Sequence, residues 1–138
     1  EKIRVGFISD SHLLYPSKDK KKYETMMDSY SKVVNEYMQR PDLIVLNGDV
    51  TNELIKEEEF YALFKVFSIA GSNGTYPVLY VVGNHEKRGF YSKEIEKYLC
   101  YDTGEFYTYF EYGPISSYVT DIGEDKKDDS RYFCFSCN

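Results

Sequence analysis

The sequence predicts an α/β fold in which a parallel β-α-β-α-β unit is followed by a β pair. Two observations carry that reading. Three short apolar, β-branched runs (residues 3–8, 43–46 and 78–82) alternate with segments whose apolar residues recur at helical spacing. Beyond residue 105 the rhythm changes to two aromatic or β-branched runs separated by Gly113-Pro114, as in consecutive antiparallel strands.

The first run, Ile3-Arg4-Val5-Gly6-Phe7-Ile8, ends in the polar loop Ser9-Asp10-Ser11-His12. A lysine-rich stretch over residues 16–22 reads as surface. From Tyr23, the residues Met26, Met27, Tyr30, Val33, Val34, Tyr37 and Met38 form an amphipathic stripe that stops before Pro41. The second run, Leu43-Ile44-Val45-Leu46, is apolar throughout, as expected of a strand covered on both faces, and it empties into Asn47-Gly48-Asp49-Val50. A second helix is expected over residues 53–69, with Leu54, Phe60, Leu63, Phe64 and Phe67 facing inward, and residues 71–75 end it. The third run, Val78-Leu79-Tyr80-Val81-Val82, discharges into Gly83-Asn84-His85-Glu86-Lys87-Arg88-Gly89, and a short helix follows around residues 93–99. Parallel α/β sheets bind ligands at the carboxyl ends of their strands, and all three polar loops lie there.

Composition narrows the function classes. The 138 residues suit one domain, apolar enough for a core and, at 17% aromatic, too rich in Tyr and Phe for a disordered tail. A net charge of -6 argues against a broad nucleic-acid surface, though not against phosphate held through a local metal site. No apolar run approaches the roughly 18 residues that span a bilayer, and nothing in the chain fixes a compartment. Cys100, Cys134 and Cys137 are too few for a disulfide framework, and the Cys134-x-x-Cys137 pair is half of a metal or redox motif. The histidine count matters most: there are two, His12 and His85, and both sit in strand-end loops.

Those loops offer Asp10 and His12, then Asp49, then Asn84 and His85. Carboxylate and amide oxygens mixed with imidazole nitrogen suit Mn, Fe, Zn or Co, and an aspartate between two strands can bridge two ions. Two cations about 3.5–4 Å apart hold a phosphoryl group and activate water, with a histidine beside them as general acid. Taken singly, Asp10 and Asp49 read as turn or cap residues and each histidine as an exposed loop residue. Their coincidence in three consecutive strand ends favours the metal reading.

At these residues the chain resembles the calcineurin-like metallophosphoesterases, whose pattern is Asp-x-His, then Gly-Asp, then Gly-Asn-His-Asp/Glu, each after a strand. Here these are Asp10-Ser11-His12, Gly48-Asp49 and Gly83-Asn84-His85-Glu86. The resemblance covers nearly the whole chain. Arg88-Gly89, Phe106-Tyr107-Thr108, Tyr112-Gly113-Pro114 and Asp121-Ile122-Gly123-Glu124-Asp125-Lys126 look like a bacterial branch related to purple acid phosphatases. Asn52 stands where those enzymes carry their colour-giving tyrosine, and His12 is present where they usually lack a histidine, so a non-purple site of the Asp-x-His type is expected.

The resemblance implies that Asp10 and His12 bind a first metal, that Asp49 bridges, that Asn84 binds a second, and that His85 acts on the leaving group. It implies a hydrolase of phosphomono- or phosphodiesters that uses a dinuclear, metal-bridged hydroxide, with a phosphorylated small molecule or nucleotide as substrate. Arg88 is a weaker candidate for substrate binding, with a surface salt bridge as its plainer role. Glu86 reads equally well as a partner of the ligands or as a solvated charge.

The family pattern also needs a lone histidine and a Gly-His-x-His later in the domain, and none follows His85. Residues 1–138 are therefore expected to be the N-terminal half of a four-layer α/β/β/α sandwich, inactive alone and prone to self-association through uncovered sheet surface. The rival expectation is a degenerate metallophosphoesterase-like domain that binds or interacts without catalysis. A nucleotide-binding module is disfavoured, since no Gly-x-Gly-x-x-Gly or Gly-rich lysine loop follows any strand.

Overall fold

Three parallel strands, adjacent in chain order, form the frame: β1 (Val5–Ile8), β2 (Leu43–Asn47) and β3 (Val78–Val81). The computed structural model describes residues 2–89, 91–99 and 108–119. Val5 pairs with Leu43 and Ile8 with Leu46; Ile44 pairs with Val78 and Asn47 with Val81. Period-two alternation therefore sets Ile8, Ile44, Leu46, Val78 and Tyr80 on one face. That face meets the connecting helices α1 (Lys20–Lys32) and α2 (Glu57–Ala70) in one core that includes Met27, Tyr30, Val34, Leu63, Val66 and Ala70. Each fully buried Leu or Val there contributes about 1.5–3 kcal/mol. A third helix, α3 (Ser92–Leu99), adds Ile95 to the same core. The opposite sheet face carries the exposed Phe7 beside the buried Leu43 and Val45.

The β pair is present as well. Strand β4 (Thr108–Tyr112) runs antiparallel to β5 (Ile115–Val119) around the two-residue loop Gly113-Pro114. Gly113 has φ 57°, the positive value that the first loop residue of a primed hairpin turn requires. Tyr112 Oη donates to the Asp42 carbonyl at 2.9 Å, which ties the hairpin to the approach of β2.

Helix boundaries differ from the sequence reading for identifiable reasons. The lysine stretch is exposed as expected, but α1 starts within it, at Lys20 rather than Tyr23, because Asp19 accepts the Lys22 N–H at 2.9 Å as N-cap. A single π turn, Val33–Tyr37, follows α1, with the Met38 N–H reaching back to the Val33 carbonyl at 2.9 Å. The extra residue rotates the stripe out of phase, so Tyr37 is exposed while Val34 stays buried. The second helix starts at Glu57 rather than at residue 53 because Leu54 is held elsewhere: its N–H donates to the Arg88 carbonyl at 2.8 Å and its carbonyl accepts from Tyr91 at 2.9 Å. Residues 106–107, 120–126 and all three cysteines lie outside the described residues.

The start of α2 contains a buried acid. Glu59 turns back so that one carboxylate oxygen accepts the N–H groups of Ile55 at 2.8 Å and Lys56 at 2.9 Å. Burial pushes its pKa up from 4.5 to about 7, against those two donors and with Glu53 adding repulsion. Between those values the folded chain binds the proton more tightly than the unfolded one, so stability falls as pH rises through this window. The melting temperature is expected to drop between about pH 5 and about pH 8. Glu59→Gln, which keeps an acceptor and loses the charge, should flatten that drop in a thermal-denaturation series.

Candidate metal centre

The ends of β1 and β2 are locked side by side by pairing that continues beyond the strands. Asp10 N–H donates to the Gly48 carbonyl at 3.2 Å, His12 N–H to the Asp49 carbonyl at 3.0 Å and Leu13 N–H to the Val50 carbonyl at 2.8 Å. The ladder closes at an isolated parallel bridge between Leu13 and Thr51. Along this ribbon Asp10, His12 and Asp49 have φ values of 54°, 45° and 49°. The left-handed region is costly for most residues, of order 1–3 kcal/mol, and Asp and His are among the types that enter it most readily. The flanking pairing over-determines these conformations, and the side chains of His12 and Asp49 meet at a common mouth. Ser11 adds a pin, its Oγ donating to the Val50 carbonyl at 3.1 Å and bonding the Tyr30 hydroxyl of α1.

At that mouth His12, Asp49 and His85 bring one potential ligand atom each to within 4.8 Å of one another. The two imidazole rings meet edge to face, centroids 4.4 Å apart at 82°. His85 N–H donates to Asp49 Oδ1 at 3.0 Å, and His85 Nδ1 lies 2.6 Å from the Asn52 carbonyl. A carbonyl only accepts, so Nδ1 carries the proton and Nε2 presents its lone pair to the site. Arg88 Nη1 stands 3.4 Å from that Nε2.

Asn84 lies flat against the Asp49 carboxylate, and its amide has two isosteric settings. In one, the amide nitrogen donates to Asp49 Oδ1 and Oδ2 at 3.3 and 3.1 Å while its oxygen accepts from Arg88 Nη2 at 2.8 Å. In the other, the amide oxygen faces the carboxylate oxygens and the amide nitrogen faces Arg88, which sets acceptor against acceptor and donor against donor. The first setting joins Asn84, Asp49 and Arg88 in one connected patch.

Asp10 sits at the same mouth through its backbone, but its carboxylate is exposed, accepts from the Ser9 hydroxyl, and stands outside the three-donor group. His12, Asp49, Asn84, His85 and Arg88 are thus brought together by side chain, and Asp10 by main chain. Two carriers of the geometry escape sequence reading. The Asn52 carbonyl that fixes the His85 tautomer is main chain and leaves no residue signature. Glu86, which sequence left undecided, is fully buried beneath the mouth. Burial pushes its pKa up to about 7 and the Asp49 charge adds to this, against three backbone N–H donors.

Two imidazoles and a carboxylate at this spacing match a borderline transition-metal ion such as Mn, Fe, Zn or Co. Compared with protein-family models, the chain matches the calcineurin-like phosphoesterases over residues 3–136. The chain belongs to that family. No curated protein matches it. As a calcineurin-like phosphoesterase it is placed among metal-dependent hydrolases of phosphoester bonds, and the His12, Asp49 and His85 cluster is where this member could hold metal. Among the described residues, no helix of this phosphoesterase is long and apolar enough to cross a membrane.

Proposed function

We propose that these residues form one half of a dinuclear phosphoesterase site, acting on phosphomono- or phosphodiesters of small molecules or nucleotides. Asp10, His12, Asp49 and Asn84 would hold metal, His85 would serve the leaving group, and Arg88 would bind the phosphate. The observation that carries the reading is the convergence of His12, Asp49 and His85 within 4.8 Å at the ends of neighbouring parallel strands. Bound Mn, Fe, Zn or Co would supply Lewis acidity and a water of lowered pKa.

The chain's own residues supply the remaining parts. Arg88 presents a planar fork whose two terminal nitrogens now contact His85 and Asn84, and a phosphoryl group offers stronger, charge-assisted acceptors for the same fork. With Nδ1 held by the Asn52 carbonyl, and with the metal taken by Asp10, His12, Asp49 and Asn84, His85 keeps Nε2 out of the ligand set as the atom that can hold a proton for the leaving alcohol. Asp49 orients His85 through the backbone N–H it accepts.

The chain holds two histidines, both spent in this cluster. That supports reading residues 1–138 as part of a catalytic domain whose second ion needs ligands supplied by further sequence. The test has two arms on the 138-residue protein. Titration with Mn2+, followed by electron paramagnetic resonance, should show one bound ion per chain. Hydrolysis of p-nitrophenyl phosphate and bis-p-nitrophenyl phosphate with added Mn2+ should stay near the buffer rate. Failure to bind Mn2+ removes the metal reading, whereas robust turnover by the monomer removes only the claim of an incomplete site.

A further inference from the structure

Asp49 and the Asn84–His85 pair sit on different loops, and something must fix their separation. Glu86 spans that gap. Its Oε2 accepts the N–H of Asp49 at 3.0 Å and that of Gly83 at 2.8 Å, while Oε1 accepts the Thr51 N–H at 2.8 Å and the Thr51 hydroxyl at 3.3 Å. One fully buried carboxylate thus joins the loop after β2, on both sides of Val50, to the loop after β3 at the residue before Asn84. Four donors converge on two oxygens: Oε2 receives one from each loop, and Oε1 receives both of its donors from Thr51.

We propose that Glu86 is a positioning residue that sets the separation between Asp49 and the Asn84–His85 pair, and with it the affinity of the site for a divalent cation. The proposal rests on the metal reading above and extends it to a residue that is not itself a ligand but holds the main chain of one. Outer partners of ligands commonly change metal affinity by 10–100-fold when removed, because they hold the ligand rather than the metal. The isosteric amide is a sharp probe. Whichever way the Gln amide turns, its NH2 group replaces an accepting oxygen, so it faces the Thr51 N–H in one setting and the N–H groups of Asp49 and Gly83 in the other.

The experiment measures Mn2+ binding by the intact 138-residue chain, using electron paramagnetic resonance at a temperature where circular dichroism shows every variant folded. Glu86→Gln should weaken Mn2+ binding by about 10–100-fold. Leu63→Ala, which opens a cavity in α2 away from the mouth, should lower the melting temperature yet leave Mn2+ affinity unchanged. Equal affinities for wild type and Glu86→Gln overturn the positioning role alone; a wild type that binds no Mn2+ overturns it together with the metal reading. If Glu86→Gln does not fold, amide hydrogen exchange of the wild type decides. Saturating Mn2+ should slow exchange at the N–H groups of Asp49, Thr51 and Gly83 more than at those of α2, and equal slowing overturns the proposal.

Discussion

Replacing Asp49 by Asn is expected to lower Mn2+ affinity by at least about 100-fold, at or beyond the upper end of what losing an outer partner costs. The melting temperature should hold or rise. The two effects separate because Asp49 does two jobs. As a structural residue it occupies φ 49° and accepts the His85 N–H at 3.0 Å. Asparagine tolerates the left-handed region as well as aspartate does, and its amide oxygen can keep that acceptor role. As a charge, Asp49 faces two imidazoles and contributes to the raised pKa of Glu86 beneath it. Removing the charge relieves that repulsion and takes away the carboxylate that favours a cation. Asp49→Ala tests the other half. It gives up the acceptor and enters the left-handed region without side-chain support, at about 1–2 kcal/mol, so it should lose stability as well as Mn2+ binding. Calorimetric Mn2+ titration beside thermal melts reads both quantities. An Asp49→Asn variant that binds Mn2+ within about 3-fold of wild type, a loss smaller than even an outer partner produces, would remove Asp49 from the metal centre.

The elements that position this centre are legible in the sequence for a simple reason. Leu43 to Leu46 and Val78 to Val82 are short apolar runs with no helical phase, so they read as covered parallel strands, and the polar residues after them fall at strand ends. The order of strands and helices follows directly. Helix starts are less legible, because Asp19 becomes an N-cap only by the choice of backbone that frees its carboxylate for Lys22. Leu54 carries a helical pattern yet is drawn into contact with Arg88 and Tyr91, a demand set by tertiary pairing. Within the centre, side chains that could hold metal announce themselves by type. The groups that orient them do not: the Asn52 carbonyl has no sequence signature, and Glu86 looks like any loop carboxylate until three backbone N–H groups are seen to point at it. The donor list of a metal site is therefore easier to read than its spacing.

That spacing makes Gly83→Ala the substitution with the largest expected structural effect at the centre. Gly83 does not lie in the left-handed region, so its need for glycine comes from space. A Cβ there would stand 2.1 Å from the Asp49 backbone nitrogen, 2.2 Å from Asp49 Oδ1 and 2.8 Å from Glu86 Oε2. Two of these atoms belong to Asp49 and the third to the carboxylate that clamps both loops, so no flexible side-chain end can swing aside. The loops after β2 and β3 must move apart, which breaks the bonds from Gly83 and Asp49 to Glu86 and the bond from His85 to Asp49 together. Overpacking costs typically 1–3 kcal/mol and more where backbone must shift, and the loss of at least two buried hydrogen bonds adds about 1 kcal/mol each. A fall of roughly 10 °C or more in melting temperature follows for a domain of this size, with Mn2+ binding lost. Gly74 is the matched control. Its φ of 95° makes any side chain strained, but nothing lies within 4 Å of the added Cβ. Gly74→Ala should therefore cost about 1–2 kcal/mol of strain and leave Mn2+ affinity at the wild-type value. If the two variants lose stability equally and both keep the metal, close approach at Gly83 is not what holds the centre together.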